Sequence, residues 1–478
     1  MRSTFYGFEI ARSAIQAGQT GLDVTGQNIA NTNTEGYSRQ AVDQHAVTFS
    51  NSSYKYAQLS SSRVGQGVSS GDIIQIRDQF LDVRYRKTNS EYNTLSTSLS
   101  ILNDVENVFD ETQNDGLNAM LGDFYTQLEN LSSNAGDVEF ATIFRASAQK
   151  VAKTLNQYED QLNDIRNQEL YDLNIIVDDV NTLTSKINDI NNTIKNEKLQ
   201  GNPSNELLDE RNLYLNKLSD YLDINIENNP DGSVSIMSSD KYLLNAKTGY
   251  KATLSLDSST NPIKILNGAD IVDISEGQVK GYLQSLNGVG NYAAAGEDNY
   301  AGIQYYRQAL DDFSKAFADT FNTLNGDLLG VNKPLFEGID AGSIKVSAQW
   351  TIDANYITTT NEIPAVVGKN DNIVRMINAM DSSKIISPLF EGTFEAFATS
   401  LMNDVAINVN YISSLEKSSD LIMTSIQNQR ESVMGVSLNE ETTNLMKYQK
   451  AFEAASRLMT IFDEALDVII NKMGLVGR

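Results

Sequence analysis

The N-terminal part of the chain alternates apolar and polar positions at steps of three and four, the spacing of a coiled-coil seam. The seam positions are Phe8, Ala11, Ile15, Gly18, Leu22, Thr25 and Ile29. In residues 31–36 the polar side chains compete for backbone hydrogen bonds, and a glycine permits a positive φ. The pattern predicts an N-terminal helix that ends at this segment.

Residues 40–70 show no such period. They carry many serines, few long apolar residues and the closely spaced Gly65 and Gly67. This composition predicts an extended, solvated arm rather than an independent core. From about Gln79 to Tyr221, helical periods dominate again.

One stripe inside this helical block keeps the three-and-four spacing without a break. Its members are Leu173, Ile176, Val180, Leu183, Ile187, Ile190 and Ile194. The stripe ends near Gly201, and Asn202 before Pro203 suits an N-cap followed by proline in the first turn. We expect a second, antiparallel helix from Glu206 to Tyr221.

The period changes to two after residue 223. Ile224 and Ile226 precede a turn-forming segment at 228–232, and Val234 and Ile236 follow it. This order predicts a β-hairpin, with further short strands to about residue 281. Mixed strand and loop character is predicted again from about 335 to 368.

Helical signals separate and follow these β-rich stretches. The first set is Leu310, Phe313, Phe317 and Phe321, and a second begins after Asn372. The last helix has the clearest start, because Ser437 and Glu440 form a capping box. Its seam positions are Leu445, Tyr448, Phe452, Ala455, Met459, Phe462, Leu466, Ile469 and Met473.

A single helix cannot bury its own stripe, so each terminal seam needs a partner and the other terminus is the obvious one. The sequence therefore predicts a mainly α protein with a smaller β part, in which long coiled-coil-like helices from both termini pack together. The predicted divisions are a core of residues 1–95 with 405–478, a helical domain of 96–222 with about 300–330 and 370–404, and β-rich segments at 223–299 and about 335–369.

Composition narrows the function. The 62 acidic and 37 basic residues give a formal net charge of −25, which repels nucleic acid and anionic membrane surfaces. The absence of cysteine excludes thiolate nucleophiles, zinc–thiolate sites and disulfides. The sequence contains no continuous apolar run of the kind that would predict a cleaved signal peptide or a membrane-spanning helix.

Candidate chemistry is sparse. The single histidine, His45, lies in a polar stretch without spacing for a triad or a metal site. The neighbouring carboxylates of Asp209 and Glu210 point in different directions along a helix, so a solvated helical face explains them better than an acid–base pair. A hairpin turn explains residues 229–232 better than a calcium loop. We predict no catalytic residues, no cofactor and no metal.

Four motifs carry a family resemblance. Residues 28–37, Asn-Ile-Ala-Asn-Thr-Asn-Thr-Glu-Gly-Tyr, resemble a segment shared by flagellar rod, hook and hook-associated proteins. Residues 64–68 leading to 77–81, residues 201–211 and residues 437–441 are similar to the hook-associated protein 1 (FlgK) family. The motifs keep the family's order from residue 1 to the C-terminus, and the likeness is weakest at about 223–300 and 340–400.

The resemblance implies a structural subunit of the bacterial flagellum at the hook–filament junction, without catalysis. Its terminal helices would form the axial core of a ring of identical subunits, with the β-rich middle facing outward. The implied partners are the hook protein, a second hook-associated junction protein and, before type III export, a dedicated chaperone that holds the C-terminal helix. The implied location is extracellular.

The resemblance also gives roles to the two terminal segments. Subunit packing is expected from the N-terminal seam together with Asn28, Asn31, Gly36 and Tyr37, and subunit packing and chaperone binding from the C-terminal seam. Plain core packing of a monomeric helical bundle is the simpler interpretation of both seams. An adhesin with a coiled-coil stalk and another axial subunit, from the hook or distal rod, are the remaining alternatives.

Overall fold

The computed structural model describes residues 6–47, 65, 67–110, 116–201, 204–294, 299–326, 332–362, 366 and 368–472. Its helices are α1 (Tyr6–Ala30), α2 (Gln79–Phe109), α3 (Leu117–Ser133), α4 (Val138–Gln200), α5 (Asn205–Tyr221), α6 (Gln278–Asn287), α7 (Ile303–Gly326), α8 (Ala348–Ile352), α9 (Asp371–Asp381), α10 (Phe394–Met434) and α11 (Leu438–Asp467). Its strands are β1 (Gln40–Ala46), β2 (Val68–Gln75), β3 (Asn225–Asn228), β4 (Val234–Ser238), β5 (Lys241–Asn245), β6 (Tyr250–Lys251), β7 (Leu254–Asp257), β8 (Lys264–Asn267), β9 (Asp270–Val272), β10 (Phe336–Glu337), β11 (Lys345–Val346), β12 (Lys384–Ser387) and β13 (Phe390–Gly392).

Helices from the two ends of the chain pack together, as the seams predicted. Helix α1 lies along α11, and α2 lies along α10. Strands β1 and β2 form an antiparallel ribbon, with Gln40 opposite Gln75 and Ala46 opposite Val68, and the ribbon lies against α1. The ends of the predicted arm therefore form a paired ribbon, and residues 48–64 and 66 of the arm lie outside the described residues. We call α1, β1, β2 and α11 the terminal module.

The rest of the described chain, from Asp78 to Met434, is called the body. Its longest element is α4, and every residue of the stripe predicted there is buried. Helix α4 achieves this because α3, α5, α6, α7 and both larger sheets pack around it. The predicted long helix with one apolar stripe is confirmed.

An aromatic cluster fills the centre of the body. Phe317 lies with its ring centroid 5.3 Å from Phe124 and 5.2 Å from Phe336. Trp350, the single tryptophan, is fully buried against Phe144 at 5.6 Å. The cluster joins α3, α4, α7 and α10, so the phenylalanine period seen in residues 310–321 forms one face of a shared core.

The β part lies beside α4. The predicted hairpin is confirmed, since β3 pairs with β4 and places Ile226 opposite Ile236. Strands β3 to β6 form one sheet and β7 to β9 form another. Asn191 of α4 donates through Nδ2 to the Val234 carbonyl oxygen at 2.8 Å, which ties the first sheet to the helix.

Three local details differ from the sequence predictions. The N-cap of α5 is Ser204, whose hydroxyl accepts from the Leu207 amide, rather than Asn202. Helix α6 lies within a stretch expected to be β-rich. The described part of residues 335–369 has two strands of only two residues each, β10 and β11, which pair with each other, and Asn322 of α7 bonds the backbone of Leu335 and Phe336.

Candidate functional site

The interface between α1 and α11 is built on small residues in α1 and large ones in α11. The two helices run antiparallel, because Gly7 lies against Phe462 whereas Gly21 lies against Tyr448. A methyl group on Gly21 would come within 2.6 Å of the Tyr448 ring, and one on Gly18 within 3.3 Å of Phe452 Cβ. Gly7, Gly18 and Gly21 therefore allow a close approach of the two helices, and a methyl group at any of them would force the facing aromatic residue to shift.

The predicted seam residues meet here, but α11 is thinly covered. Ala11, Gly18 and Thr25 of α1 are buried, and Phe8 lies 5.9 Å from Phe462 between ring centroids. In α11 Ala455 is buried, whereas the residues Leu445, Tyr448, Phe452, Met459, Phe462 and Leu466 are half-buried. Ile469 is exposed, and Met473 lies outside the described residues.

The turn after α1 is held by Asn28. Its Nδ2 donates to the Gln40 carbonyl oxygen at 2.9 Å and to Oε2 of Glu441 at 3.1 Å. Its Oδ1 accepts from the Tyr37 hydroxyl and the Gln40 amide, both at 2.9 Å. Gly36 adopts a φ of +79°, which lets the chain reverse. Asn28 thus uses its full hydrogen-bonding capacity inside one chain.

Asn31 belongs to the same turn. Its Oδ1 accepts from the Thr34 hydroxyl at 3.1 Å, and its Nδ2 donates to the Gln27 carbonyl oxygen at 3.0 Å. Tyr37 is half-buried, and burial together with the negative charges of Asp209, Glu206 and Glu441 raises the pKa of Tyr37 to about 12. The Tyr37 hydroxyl therefore keeps its proton and its donor role at neutral pH.

Residues 37–40 connect the ribbon to four helices. Ser38 donates through its amide and its hydroxyl to Asp209 of α5, at 3.1 and 2.6 Å. Arg39 pairs with Glu441 at 2.8 Å and Glu440 at 3.0 Å, and its amide donates to the Met434 carbonyl oxygen at 2.9 Å. With the Asn28 bonds, this short segment binds α1, α5, α10 and α11.

A buried ion cluster continues from this segment. Arg77 binds Asp82 with an Nε–Oδ2 distance of 2.6 Å, and Arg430 binds the same carboxylate at 3.0 Å. Burial raises the pKa of Asp82, but the hydrogen bonds and charges of the surrounding guanidinium groups outweigh it and hold that pKa below its ordinary value. The guanidinium of Arg430 also lies 4.0 Å from the Tyr85 ring centroid.

Sequence reasoning missed most of this cluster. Asp209 was assigned to a solvated helical face, but it is buried and its oxygens accept from Ser38, with Arg77 at 3.5 Å. Gln40 of the same segment donates through Nε2 to Glu206 at 3.4 Å. We call the segment 37–40 and the charged residues around it the polar junction; these charged residues are Arg77, Asp82, Glu206, Asp209, Arg430, Glu440 and Glu441. The missed signal was the charged positions inside the motifs at 77–81, 201–211 and 437–441.

A second set of apolar residues in α11 and in the turn that continues it faces solvent, among charged residues such as Lys450 and Arg457. Met446 is 53 % exposed, Ile461 59 % and Ile470 70 %, and Leu458 and Val468 lie between them in the chain. Helix α10 also exposes apolar residues, among them Ile407, Tyr411 and Leu421. Contiguous apolar patches mark interaction surfaces, so these exposed residues are candidates for contacts with other chains.

The described residues hold little reactive chemistry. Among them, no group of three or more His, Cys, Asp and Glu side chains is placed to hold a metal ion. None of their helices is long and apolar enough to cross a lipid bilayer. His45 is exposed on the ribbon.

Comparisons with known proteins agree along the whole chain. Residues 102–336 match the model of the flagellar hook-associated protein FlgK helical domain. Residues 8–37 match a flagella basal body rod protein model, and 427–472 match the C-terminal model of the flagellar basal body rod FlgEFG proteins. The two rod models cover parts of α1 and its turn and of α10 and α11.

Complete relatives extend this similarity. Flagellar hook-associated protein 1 of Bacillus subtilis is 29 % identical over 515 residues, which cover 100 % of both chains. The protein of the same name in Escherichia coli is 21 % identical and covers 96 % of this chain and 98 % of its own. The flagellar hook junction protein FlgK from Burkholderia pseudomallei has a TM-score of 0.45 at 19 % identity, covering 53 % of this chain and 46 % of that chain.

Proposed function

We propose that this chain, which belongs to the flagellar hook-associated protein 1 family, is the structural subunit that joins the hook to the filament. The observation that carries the proposal is the terminal module, in which α1 pairs with α11 but leaves most of the α11 seam half-buried and other apolar residues of α11 exposed. A subunit of a tubular junction needs such a rigid unit with an apolar outer face.

In this proposal the two seams act at two levels. Within one chain, the seam residues of α1 and α11 pack against each other. This packing determines the surface that the helix pair presents to neighbouring subunits. Contacts between chains come from the half-covered α11 seam and from exposed apolar residues of α11, such as Leu458 and Ile461. Ile469, exposed at the end of the seam, belongs to the second group. Asn28, Asn31, Gly36 and Tyr37 act indirectly, by fixing the turn after α1.

The remaining roles follow from the same proposal. The chain acts as a part of a ring, between the hook protein and a second hook-associated junction protein, at the outer end of the hook outside the cell. Before export an assembly chaperone covers α11, whose apolar stripe would otherwise aggregate. The β-rich segments face outward, the helical domain lies between them and the axial core, and no catalytic step, nucleic acid or membrane is involved.

Deletion of the gene in its host tests this role by negative-stain electron microscopy. We expect hooks without filaments and filament protein released to the medium. Normal filaments would reject the junction role and favour the adhesin alternative. Absent hooks would indicate a hook or rod subunit instead.

A point variant tests the seam itself. Phe452→Asp places a charge against Gly18 of α1, and Leu466→Asp places one further along the same seam. We expect either change to abolish filament attachment in a complementation assay while the purified protein keeps the Trp350 fluorescence of a folded body. Glu453→Asp, on the same helix, is the matched control and should restore motility. Full motility with Phe452→Asp would contradict the proposal.

A further inference from the structure

The two parts of the molecule do not share a hydrophobic core. The continuous core of buried apolar residues runs through the body from Ile101 to Ile412 and includes no described residue of α1, the ribbon or α11. The chain crosses between the parts twice, near residues 76–78 and 435–437. The orientation of the terminal module therefore depends on local contacts at the crossings.

Those contacts are largely polar and directional. Ser38 binds Asp209, Gln75 donates through Nε2 to the Asn205 carbonyl oxygen at 2.9 Å, and Asn205 donates back to the Ile73 carbonyl oxygen at 2.9 Å. A packing contact accompanies them, since Gly36 lies against Leu213. Hydrogen bonds fix the orientation of the groups that they join, but they contribute little once water can compete for the same donors and acceptors. Such an interface has two states, made or broken.

Asp209 holds the central position among these contacts. It accepts both donors of Ser38 from the ribbon, and its Oδ1 lies 3.5 Å from Nη1 of Arg77 at the first crossing. Arg77 in turn reaches Asp82, which also binds Arg430 near the second crossing. Loss of Asp209 removes both Ser38 bonds between the ribbon and α5 and does not touch the Asp82–Arg430 pair. It leaves between these elements only the neutral bonds at Asn205, the long Gln40–Glu206 bond and the contact of Gly36 with Leu213.

We propose that the polar junction is a conformational latch, with Asp209 as its positioning residue, that holds the terminal module at one angle to the body. When the charge-assisted Ser38–Asp209 bonds break, the weaker neutral bonds at Asn205 and the long Gln40–Glu206 bond break with them, and the module swings as a unit about the two crossings while α1 and α11 stay paired. The inference does not depend on the assembly role, because it concerns the full-length chain alone in solution. In every molecule in which the Ser38–Asp209 bonds are formed, the terminal module therefore lies at the same angle to the body.

The absence of cysteine allows a direct test, because introduced cysteines are the only sites for spin labels. One pair, Asn167→Cys on α4 and Thr460→Cys on α11, spans the junction. A second pair, Gln16→Cys and Thr460→Cys, lies within the terminal module; all three positions are exposed. Pulsed electron paramagnetic resonance then gives the distance distribution of each pair in the full-length protein.

We expect Asp209→Ala to broaden the distribution of the spanning pair at least twofold and to leave the pair within the module unchanged. Glu210→Ala is the matched control, because it removes the neighbouring carboxylate from an exposed position on the same helix. It should leave both distributions narrow. Trp350 fluorescence checks that the body stays folded.

A narrow spanning distribution in Asp209→Ala would overturn the latch. So would equal broadening of both pairs, because that result means separation of α1 from α11 instead of a swing. If Asp209→Ala unfolds the body, Ser38→Ala decides, since it removes the hydroxyl that donates to Asp209 and accepts from Arg77, and leaves every charge in place. The same broadening in Ser38→Ala supports the latch, and an unchanged distribution rejects it.

Discussion

Helices α4 and α11 share one apolar period but differ in how completely it is covered. The α4 stripe is buried throughout, with Leu173 and Ile187 fully inaccessible, because helices and sheets surround it. The α11 stripe with the same spacing is mostly half-buried, because α1 is the one described helix that packs along its length. The period of apolar residues thus identifies which face of a helix packs. The number of neighbouring elements determines how much of that face is buried, and so how much its burial stabilises the fold.

This difference predicts an order of stability. Burial contributes about 25 cal/mol per Å² of apolar surface, so the thinly covered pair gains less per residue than the body. The terminal module should open at lower denaturant than the body, as a separate unit. Substitutions in either region test this predicted difference in stability.

The largest effect is expected in the aromatic core. Phe317→Ala removes a ring that contacts Phe124, Phe321, Phe336 and Phe394, and should cost about 3–5 kcal/mol of unfolding free energy. Trp350 fluorescence in a urea titration measures the loss. Phe462→Ala in the terminal module is the counterpart and should leave the Trp350 midpoint unchanged. Equal losses would show that the two regions unfold together.

Glycine substitutions in α1 test the close approach of the helices. Gly21→Ala drives a methyl group into the Tyr448 ring and should destabilise the pair by about 1–3 kcal/mol. Gly26→Ala, with nothing within 4 Å of the new methyl, should stabilise α1 by about 0.5–1 kcal/mol. The effect of Gly21→Ala is measured as faster hydrogen exchange of the amides of α1 and α11. The effect of Gly26→Ala is measured as slower hydrogen exchange of the α1 amides. A gain with Gly21→Ala would contradict the tight seam.

A buried carboxyl in the body gives a smaller, pH-dependent effect. Burial, with the charges of Asp172 and Asp104, raises the pKa of Glu169 to about 7 from an ordinary value of 4.5. The folded state therefore keeps this proton where the unfolded state releases it, and stability falls as pH rises from about 4.5 to 7. Glu169→Gln should add about 1–2 kcal/mol at pH 8 and almost nothing at pH 4.

Urea titrations of both proteins at the two pH values, followed by Trp350 fluorescence, measure that difference. Asp164→Asn, at an exposed position of the same helix, is the matched control for the loss of a carboxylate. A gain from Glu169→Gln that is equal at pH 4 and pH 8 would mean that packing, not ionisation, explains it.

The fold was largely predictable because its main elements carry local signals. The terminal seams, the α4 stripe, the hairpin around Asp231 and the cap at Ser437 each depend on residues close together in sequence. The Ser437 hydroxyl accepts from the Glu440 amide at 3.5 Å, as the capping box predicted. Helix α6 was missed because it is short and stands among turn-forming residues.

The polar junction could not be derived in the same way. Ser38 and Asp209 are 171 residues apart in sequence, and Asp82 and Arg430 are 348 apart. Charged residues on a helix have no period that separates a buried ion pair from a solvated face, so Asp209 looked like its exposed neighbour Glu210. Only the tertiary arrangement distinguishes them.

The pairing of the chain's two helical ends has a consequence for the order of folding. Asn28 and Glu441, which meet in the terminal module, are 413 residues apart in the chain. Closing a flexible loop of that length costs roughly 5 kcal/mol of chain entropy, more than a thinly covered helix pair readily offsets. A folded body brings its two crossings together in advance and removes most of this cost. The ends of the chain should therefore join last, as the closing step of folding.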